Sequence, residues 1–237
     1  MLRAILFDWG NTLVRWDYDD ELLAEGHARG LAAIGGSAPA SREAFSELYN
    51  ERVVPPLIAR REDEVDYPEL VRQTLAAVGV DTADGAVDRF VEAEHAVWRL
   101  AHTVQPGVLE LLDELHARGL TVGLVSNLFD PPHLIRGTFA QLGVLERLDA
   151  VALSAEVGKR KPHPEIFRHA LAELGVPASD AVHVGDRVRE DVGGAAAVGL
   201  RTIQATWFLT DDATDAVPDA RASTPAEVLE IVERWHA

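Results

Sequence analysis

Polar side chains that could do chemistry follow four short apolar runs of this sequence, at the point where each run ends. Carboxylates that converge repel one another, and a divalent cation removes that repulsion; ligands that are all oxygen atoms favour Mg²⁺. A lysine and a Ser/Asn pair opposite the metal would neutralise and hold a transferring phosphoryl group. The first aspartate is a candidate covalent nucleophile. In chain order the side chains are Asp8, then Ser126 and Asn127, then Lys161, and finally Asp186 and Asp191.

The apolar runs predict the strands that position these side chains. Each run is continuous rather than alternating, which is typical of strands buried on both faces of a parallel sheet. Helical patterns that end at glycine separate the later runs. This repeat predicts a doubly wound, Rossmann-like α/β fold, in which ligands bind beyond the carboxyl ends of the strands. The predicted strands are residues 4–7, 120–125, 150–153, 181–184 and 201–205, and the predicted helices between them are 108–118, 164–174 and 191–198.

Residues 17–102 interrupt this alternation of strands and helices. We predict no strand within them, and their apolar periodicity indicates four amphipathic helices. The predicted fold is therefore α/β with an inserted α-helical domain, residues 17–102, and a core made of residues 1–16 and 103–237. The predicted helices of the insert are 20–33, 41–60, 67–78 and 83–100, and a last amphipathic helix is predicted over 223–236.

The composition argues against several classes of protein. The chain has 237 residues and a formal net charge of −17, and this charge repels nucleic acid and anionic membranes as partners. A phosphate site would need a local cation to reverse that field. The absence of cysteine removes disulfides, thiolate nucleophiles and zinc–thiolate sites. The sequence shows neither a leader-like pattern nor an apolar run of roughly 20 residues, so we expect a cytoplasmic protein.

Four motifs resemble those of the haloacid dehalogenase-like (HAD) hydrolases. In order they are LFDWGNTL at 6–13, LVSN at 124–127, GKRKPHPEIF at 158–167 and VGDRVREDVGGAAAVGL at 184–200. One such motif is weakly specific, whereas four in this order at four predicted strand ends are highly specific. The resemblance covers the whole chain, because the insert looks like the C1 helical cap of that family. It implies a Mg²⁺-dependent phosphatase whose substrate is a small phosphorylated metabolite.

The resemblance also implies roles for individual residues. Asp8 would be the nucleophile, and it would bind Mg²⁺ together with the backbone carbonyl of Gly10 and the side chain of Asp186. Ser126 would hydrogen-bond the phosphoryl group, and Lys161 would balance its charge. Asp191 would support the metal directly or through water. Asn127 and Thr12 are further candidate substrate-binding residues, and the place of Thr12 in the first motif suggests that it also orients Asp8.

Position 10 departs from the pattern of the family's phosphatases. Most of them have a second aspartate there, which protonates the leaving alcohol and then activates water, whereas this chain has Gly10. Such a general acid/base typically contributes about 10²–10⁴ in rate. Three explanations are open. Another side chain could carry out the proton transfers of the missing aspartate. The substrate could have a leaving group that needs no proton, or the protein could turn over its substrate slowly. Candidates for the replacing group are Asp17, Tyr18 and Asp19.

Two alternative functions are open at this point. The family's 2-haloacid dehalogenases also lack the second aspartate and use the same carboxylate nucleophile without a metal. They lack the pattern of Gly185-Asp186 followed by Asp191, which argues against this alternative here. The other alternative is a catalytically weak module that retains the metal and the phosphate site, and Gly10 motivates it.

Overall fold

The computed structural model describes residues 1–35 and 39–236. Six of the strands in these ranges form one parallel sheet, and the other two form an antiparallel pair. The strands, numbered along the chain, are β1 (Ala4–Phe7), β2 (Val14–Trp16), β3 (His102–Val104), β4 (Thr121–Ser126), β5 (Ala150–Leu153), β6 (Ala181–Gly185), β7 (Arg201–Ala205) and β8 (Ala220–Ala222). The order in the large sheet is β5-β4-β1-β6-β7-β8, so the sheet is doubly wound about β1.

Helices cover both faces of this sheet and also form the insert between β2 and β3. None of those in the described ranges has the length and apolar character to cross a membrane. The helices are α1 (Asp20–Ala33), α2 (Pro39–Arg52), α3 (Val54–Ile58), α4 (Tyr67–Ala77), α5 (Ala86–Trp98), α6 (Val108–Ala117), α7 (Pro132–Gln141), α8 (Ser154–Val157), α9 (Pro164–Leu174), a π-helical segment (Val188–Gly193) that leads into α10 (Gly194–Ala197), and α11 (Pro225–His236).

The side chains of β1 show that the sheet is buried on both faces. Ile5 and Phe7 pack in one apolar cluster with α6, α7 and α11, whereas Ala4 and Leu6 pack in a second cluster with α9 and α10. All four residues are fully shielded from solvent, which is why the strand reads as a continuous apolar run. The predicted Rossmann-like α/β fold with an inserted helical domain is confirmed, and a strand is present at each of the five predicted positions.

Three short strands and two helices lie outside the predicted elements. β2 pairs antiparallel with β3, with Trp16 opposite His102, and this pair joins the two ends of the insert. β8 pairs with β7 at the edge of the large sheet. Each of these strands has three residues, which is too short for an alternating pattern to show. One missed helix is α7, although Pro132 in its first turn is a recognised start signal. The other is α8, which has only four residues.

The insert has an apolar cluster of its own, in which Tyr49 and Phe90 are buried. The predicted helix over 41–60 is wrong in its boundaries, because α2 ends at Arg52 and α3 is a separate short helix. Pro55 and Pro56 are the physical reason. Proline lacks an amide hydrogen, and its ring clashes with a carbonyl of the preceding turn. After α3, the backbone of Glu62 and Glu64 hydrogen-bonds to Arg160 and Gly158 of the core.

The predicted helix over 191–198 also has the wrong start, because helical backbone begins at Val188. Asp211 Oδ2 accepts a hydrogen bond from the amide of Val188 at 2.9 Å and so satisfies one of the free amides of the first turn. Asp191 therefore lies inside the helical segment. Its Oδ2 accepts a hydrogen bond from the amide of Arg187 at 2.9 Å, which turns the carboxylate back toward the end of β6.

Candidate active site

The carboxyl ends of β1, β4 and β6 bring the predicted site residues together. β1 lies between the other two strands, and Phe7 pairs with a residue of each. Asp8, the next residue, is therefore flanked by the ends of both neighbours. Those ends carry Ser126 and Asp186, and all three side chains are buried. The strand order thus collects residues that are far apart in the sequence at one edge of the sheet.

Lys161 supplies the buried positive charge of the site. Its ammonium group donates to Asp8 Oδ1 and to Asp191 Oδ1, both at 2.6 Å. Burial lowers the pKa of Lys161, but the carboxylates of Asp191 and Asp8 outweigh this and raise the pKa above its ordinary value. Ser126 Oγ donates to Asp8 Oδ1 at 2.9 Å. Both side-chain hydrogen bonds that the described residues make to Asp8 therefore reach Oδ1, and Oδ2 is available to another partner.

Asp191 accepts hydrogen bonds at both carboxylate oxygens. Oδ1 accepts from Lys161 and from Nε2 of His183, the latter at 3.0 Å, and Oδ2 accepts from the amide of Arg187. Burial raises the pKa of Asp191, but Lys161 and His183 outweigh it and bring the pKa below its ordinary value. Asp191 and His183 thereby hold Lys161 beside Asp8. Sequence reasoning missed His183, because a histidine inside an apolar strand belongs to no recognisable motif.

Asp186 has one charged neighbour on its own loop, Arg187, whose Nε lies 3.4 Å from Asp186 Oδ2. The carboxylate of Asp186 is otherwise poorly satisfied. Its Oδ2 is buried and receives no hydrogen bond within the described part of the chain. Burial first, and then the charges of Asp191 and Asp8, raise the pKa of Asp186 to about 8. One carboxylate oxygen from each of these three aspartates lies within 4.8 Å of the others. Three buried carboxylates around one ammonium group, offering only oxygen ligands, fit a hard divalent cation such as Mg²⁺. Gly10 lines the same cavity.

Asn127 and Thr12 support the loops around Asp8. Asn127 Oδ1 accepts from the amide of Lys161 at 2.7 Å, and Asn127 Nδ2 donates to the carbonyl of Lys161 at 3.1 Å. The side chain of Asn127 therefore fixes the backbone that carries the lysine, and it also lines the cavity. Thr12 is 0% exposed and does not line the cavity, and its carbonyl accepts a hydrogen bond from Nε1 of Trp207 at 3.0 Å.

A cavity of about 420 Å³ adjoins these residues. The strand ends line one part of it, and residues 58–61 of the insert line another. Asp17, Tyr18 and Asp19, the candidates for a replacing acid, do not line it. Asp17 pairs with Arg15 at 2.5 Å, and the side chain of Asp19 caps the N-terminus of α1. None of the three is therefore placed at the cavity to transfer a proton.

Gly185, the last residue of β6, packs directly against Asp191. A Cβ atom at position 185 would lie 2.3–2.6 Å from side-chain atoms of Asp191, which is closer than such atoms approach. We expect Gly185→Ala to displace the Asp191 carboxylate and so release Lys161. The catalytic efficiency should fall by roughly 10–100-fold, as measured by steady-state kinetics.

Gly137→Ala is the matched control for this prediction. Gly137 lies in α7, and an added Cβ there meets no atom within 4 Å. Alanine is favoured over glycine inside a helix by about 1 kcal/mol. The control should therefore retain activity and unfold at a slightly higher temperature. Unchanged activity in both variants would show that Gly185 does not hold Asp191 in place.

Comparisons with known proteins identify the family of this chain. A family model described as a haloacid dehalogenase-like hydrolase matches residues 2–199. The glyceraldehyde 3-phosphate phosphatase of Methanopyrus kandleri is 31% identical, over 98% of this chain and 97% of the relative. A phosphoglycolate phosphatase of Xylella fastidiosa is 30% identical, over 86% of this chain and 80% of the relative. The crystal structure of a 2-haloacid dehalogenase from Pseudomonas syringae covers 99% of this chain and 100% of its own, with 25% identity and a TM-score of 0.68.

The chain belongs to the haloacid dehalogenase-like hydrolases. The predicted family and the predicted enzyme class, a hydrolase, are confirmed. The family includes both phosphatases and dehalogenases among these similar proteins, so the reaction has to be argued from the site.

Proposed function

We propose that this chain is a Mg²⁺-dependent phosphatase that hydrolyses a small phosphate monoester through an aspartyl-phosphate on Asp8. The buried set of Asp8, Asp186 and Asp191 around Lys161 carries the proposal, because its charge and its oxygen ligands suit a divalent cation. A chain with a net charge of −17 repels phosphate at long range, and a metal ion together with Lys161 would reverse that field locally. The phosphatases of M. kandleri and X. fastidiosa support the same class of reaction.

Each site residue has a part in the proposed reaction. The carboxylate of Asp8 attacks phosphorus, the bond from phosphorus to the ester oxygen breaks, and the leaving alkoxide takes a proton from water. Water then attacks phosphorus, the bond to Asp8 breaks, and phosphate leaves while a proton passes to solvent. Ser126 and Lys161 orient Asp8, and Lys161 also offsets the charge of the transferred group. Mg²⁺, held by Asp8, Asp186 and the carbonyl of Gly10, would stabilise negative charge on the phosphoryl oxygens.

We further propose that residues 17–102 act as a cap over a core formed by residues 1–16 and 103–237. The pairing of β2 with β3 joins the two ends of the insert, and residues 58–61 reach the cavity. Closure of the insert over a bound ester would exclude bulk water, which strengthens electrostatic interactions at Asp8.

A metal-free 2-haloacid dehalogenase is the second candidate function. Gly10 and the similarity to the P. syringae enzyme favour it. Asp186 argues against it, because a third buried carboxyl group beside Asp8 and Asp191 completes a set of oxygen ligands that a metal-free reaction would not use. A weak phosphate-binding module would use the same residues and differ from an enzyme only in turnover.

Hydrolysis of p-nitrophenyl phosphate with and without Mg²⁺ tests the proposal. We expect release of p-nitrophenol in Mg²⁺, a fall of about 10²-fold or more after chelation, and recovery when Mg²⁺ is restored. A parallel assay with 2-chloropropionate measures chloride. Chloride release without metal would overturn the proposal in favour of the dehalogenase. Mg²⁺-dependent binding of inorganic phosphate without hydrolysis of any ester would favour the binding module.

A further inference from the structure

Arginines line the cavity in addition to Lys161, and the proposed reaction assigns no role to them. They are placed there although the chain as a whole is strongly acidic, with a net charge of −17. Two of them come from the insert and the others from the core. The insert residues are Arg60 and Arg61, and the core residues are Arg160, Arg187 and Arg189.

The core arginines differ from the insert arginines in their partners. Arg60 and Arg61 are exposed and form no ion pair with any carboxylate in residues 1–35 and 39–236. Each core arginine already has a carboxylate neighbour. These pairs are Arg160 with Glu64 at 3.1 Å, Arg187 with Asp186 at 3.4 Å and Arg189 with Glu190 at 3.0 Å.

The loop that carries Arg60 and Arg61 is attached to the loop that carries Lys161. We call residues 59–64 the insert loop and residues 158–161 the lysine loop. Backbone hydrogen bonds and ion pairs connect the two, so the insert arginines are held at the same cavity as the lysine. The contacts are the amide of Arg160 with the carbonyl of Glu62 at 2.8 Å, the amide of Glu64 with the carbonyl of Gly158 at 3.1 Å, Lys159 with Asp63 at 2.5 Å, and Arg160 with Glu64 at 3.1 Å.

We propose that Arg60 and Arg61 bind a second anionic group of the substrate while its phosphoryl group reacts at Asp8. This assignment rests on the proposed phosphatase function and names its substrate class: small phosphate esters that also carry a carboxylate or a second phosphate. The guanidinium fork matches the oxygen atoms of either anion. Neither arginine has an ion pair within the described residues that an incoming anion would have to break. The binding free energy of the anion is therefore not reduced by the loss of an existing pair.

Matched pairs of esters test this assignment. 2-Phosphoglycolate and ethyl phosphate differ by one carboxylate at nearly equal size, and fructose 1,6-bisphosphate and fructose 6-phosphate differ by one phosphate. We expect the wild-type chain to have a higher kcat/KM for the anionic member of at least one pair, by about 10-fold or more. The pair with the larger ratio of kcat/KM values, anionic ester over its matched partner, identifies whether a carboxylate or a phosphate is bound.

Substitution of the two arginines gives the second arm of the test. Arg60→Gln combined with Arg61→Gln should reduce the preference for the anionic ester by about 10–100-fold, mainly through KM. Arg60→Lys with Arg61→Lys should restore part of it, because lysine keeps the charge and loses the fork. Arg52→Gln is the matched control, since Arg52 is an exposed insert residue at the end of α2 and does not line the cavity. It should leave the preference unchanged.

Hydrolysis of p-nitrophenyl phosphate separates failure of this assignment from failure of the proposed function. If the wild-type chain hydrolyses that ester but shows no preference in either pair, the assignment is overturned and the phosphatase stands. The assignment is also overturned if the variant with Arg60→Gln and Arg61→Gln keeps both the preference and the melting temperature of the wild type. If no ester is hydrolysed, the proposed function fails and the assignment fails with it.

Discussion

Asp8→Asn is expected to lower kcat/KM for p-nitrophenyl phosphate by about 10⁵-fold or more, the scale reached when a covalent nucleophile is removed. Asparagine has nearly the same shape as aspartate, so its oxygen can still accept the hydrogen bond from Ser126. The amide is a poor nucleophile, and it carries no charge to pair with Lys161 or to bind a cation with Asp186. The variant therefore removes the chemistry and retains the packing around the end of β1.

Steady-state and burst-phase kinetics measure this loss, with Asp113→Asn as the control. Asp113 is 57% exposed in its side chain, pairs with Arg147 and lies away from the cavity. The control should retain activity, and both variants should show the circular dichroism of the wild type. If the Asp8 variant were as active as the control, Asp8 could not be the nucleophile.

Single turnover in isotopically labelled water separates the two covalent mechanisms that Asp8 could support. In the phosphatase, water attacks phosphorus, so the label leaves in phosphate. In a dehalogenase, water attacks the ester carbonyl carbon, so the label enters the carboxylate of Asp8. Mass spectrometry of the peptide that contains Asp8 should show no label after hydrolysis of a phosphate ester.

Gly10→Asp is expected to raise kcat for simple alkyl phosphates by about 10²–10⁴-fold, the contribution typical of a general acid/base. The backbone can accept the side chain, because Gly10 does not have left-handed φ. A Cβ atom there would have Trp16 Cε3 as its nearest neighbour, at 3.5 Å, which is an ordinary contact. The backbone carbonyl proposed as a metal ligand is unchanged by the substitution. The site therefore has room for an acidic side chain at position 10, although the chain has glycine there.

The leaving group supplies the internal control for this gain. p-Nitrophenolate is a weak base that leaves without a proton, so p-nitrophenyl phosphate should gain much less than ethyl phosphate in its first step. Gly10→Asn has the same size and lacks the ionisable proton, and it should give no comparable gain. Equal rates for the aspartate and asparagine variants with ethyl phosphate would contradict a general-acid role for a side chain at position 10.

The main features of the fold and the place of the site could be predicted because they depend on local patterns. Continuous apolar runs indicate buried parallel strands, and parallel strands end at one edge of the sheet. Asp8, Ser126 and Asp186 could therefore be placed together from the sequence. The error in the insert has a local origin too, because Pro55 and Pro56 interrupt the helix predicted over 41–60 although the helical periodicity continues across them.

The partners of each side chain could not be predicted. His183 reads as part of an apolar strand, yet it donates to Asp191 Oδ1 and so helps to hold Lys161. Thr12 belongs to the first motif, yet it is buried and does not line the cavity. Arg60 was predicted to lie in a helix, and it lines the cavity from a loop. In each case the residue type and its neighbours in sequence carry no information about what lies across the fold.

The sequence by itself determined the α/β class, the interruption by a helical insert and the set of polar residues that end the strands. Only the tertiary structure decided that Lys161 bridges Asp8 and Asp191, that Asp186 Oδ2 is buried and accepts no hydrogen bond from the described residues, and that Arg60 and Arg61 line the cavity. The physical reason is the distance along the sequence over which each kind of interaction acts. Periodicity and helix capping act over a few residues, whereas Asp8 and Lys161 are 153 residues apart and Arg160 and Glu64 are 96 residues apart. Burial and charge pairing between such residues exist only in the folded chain.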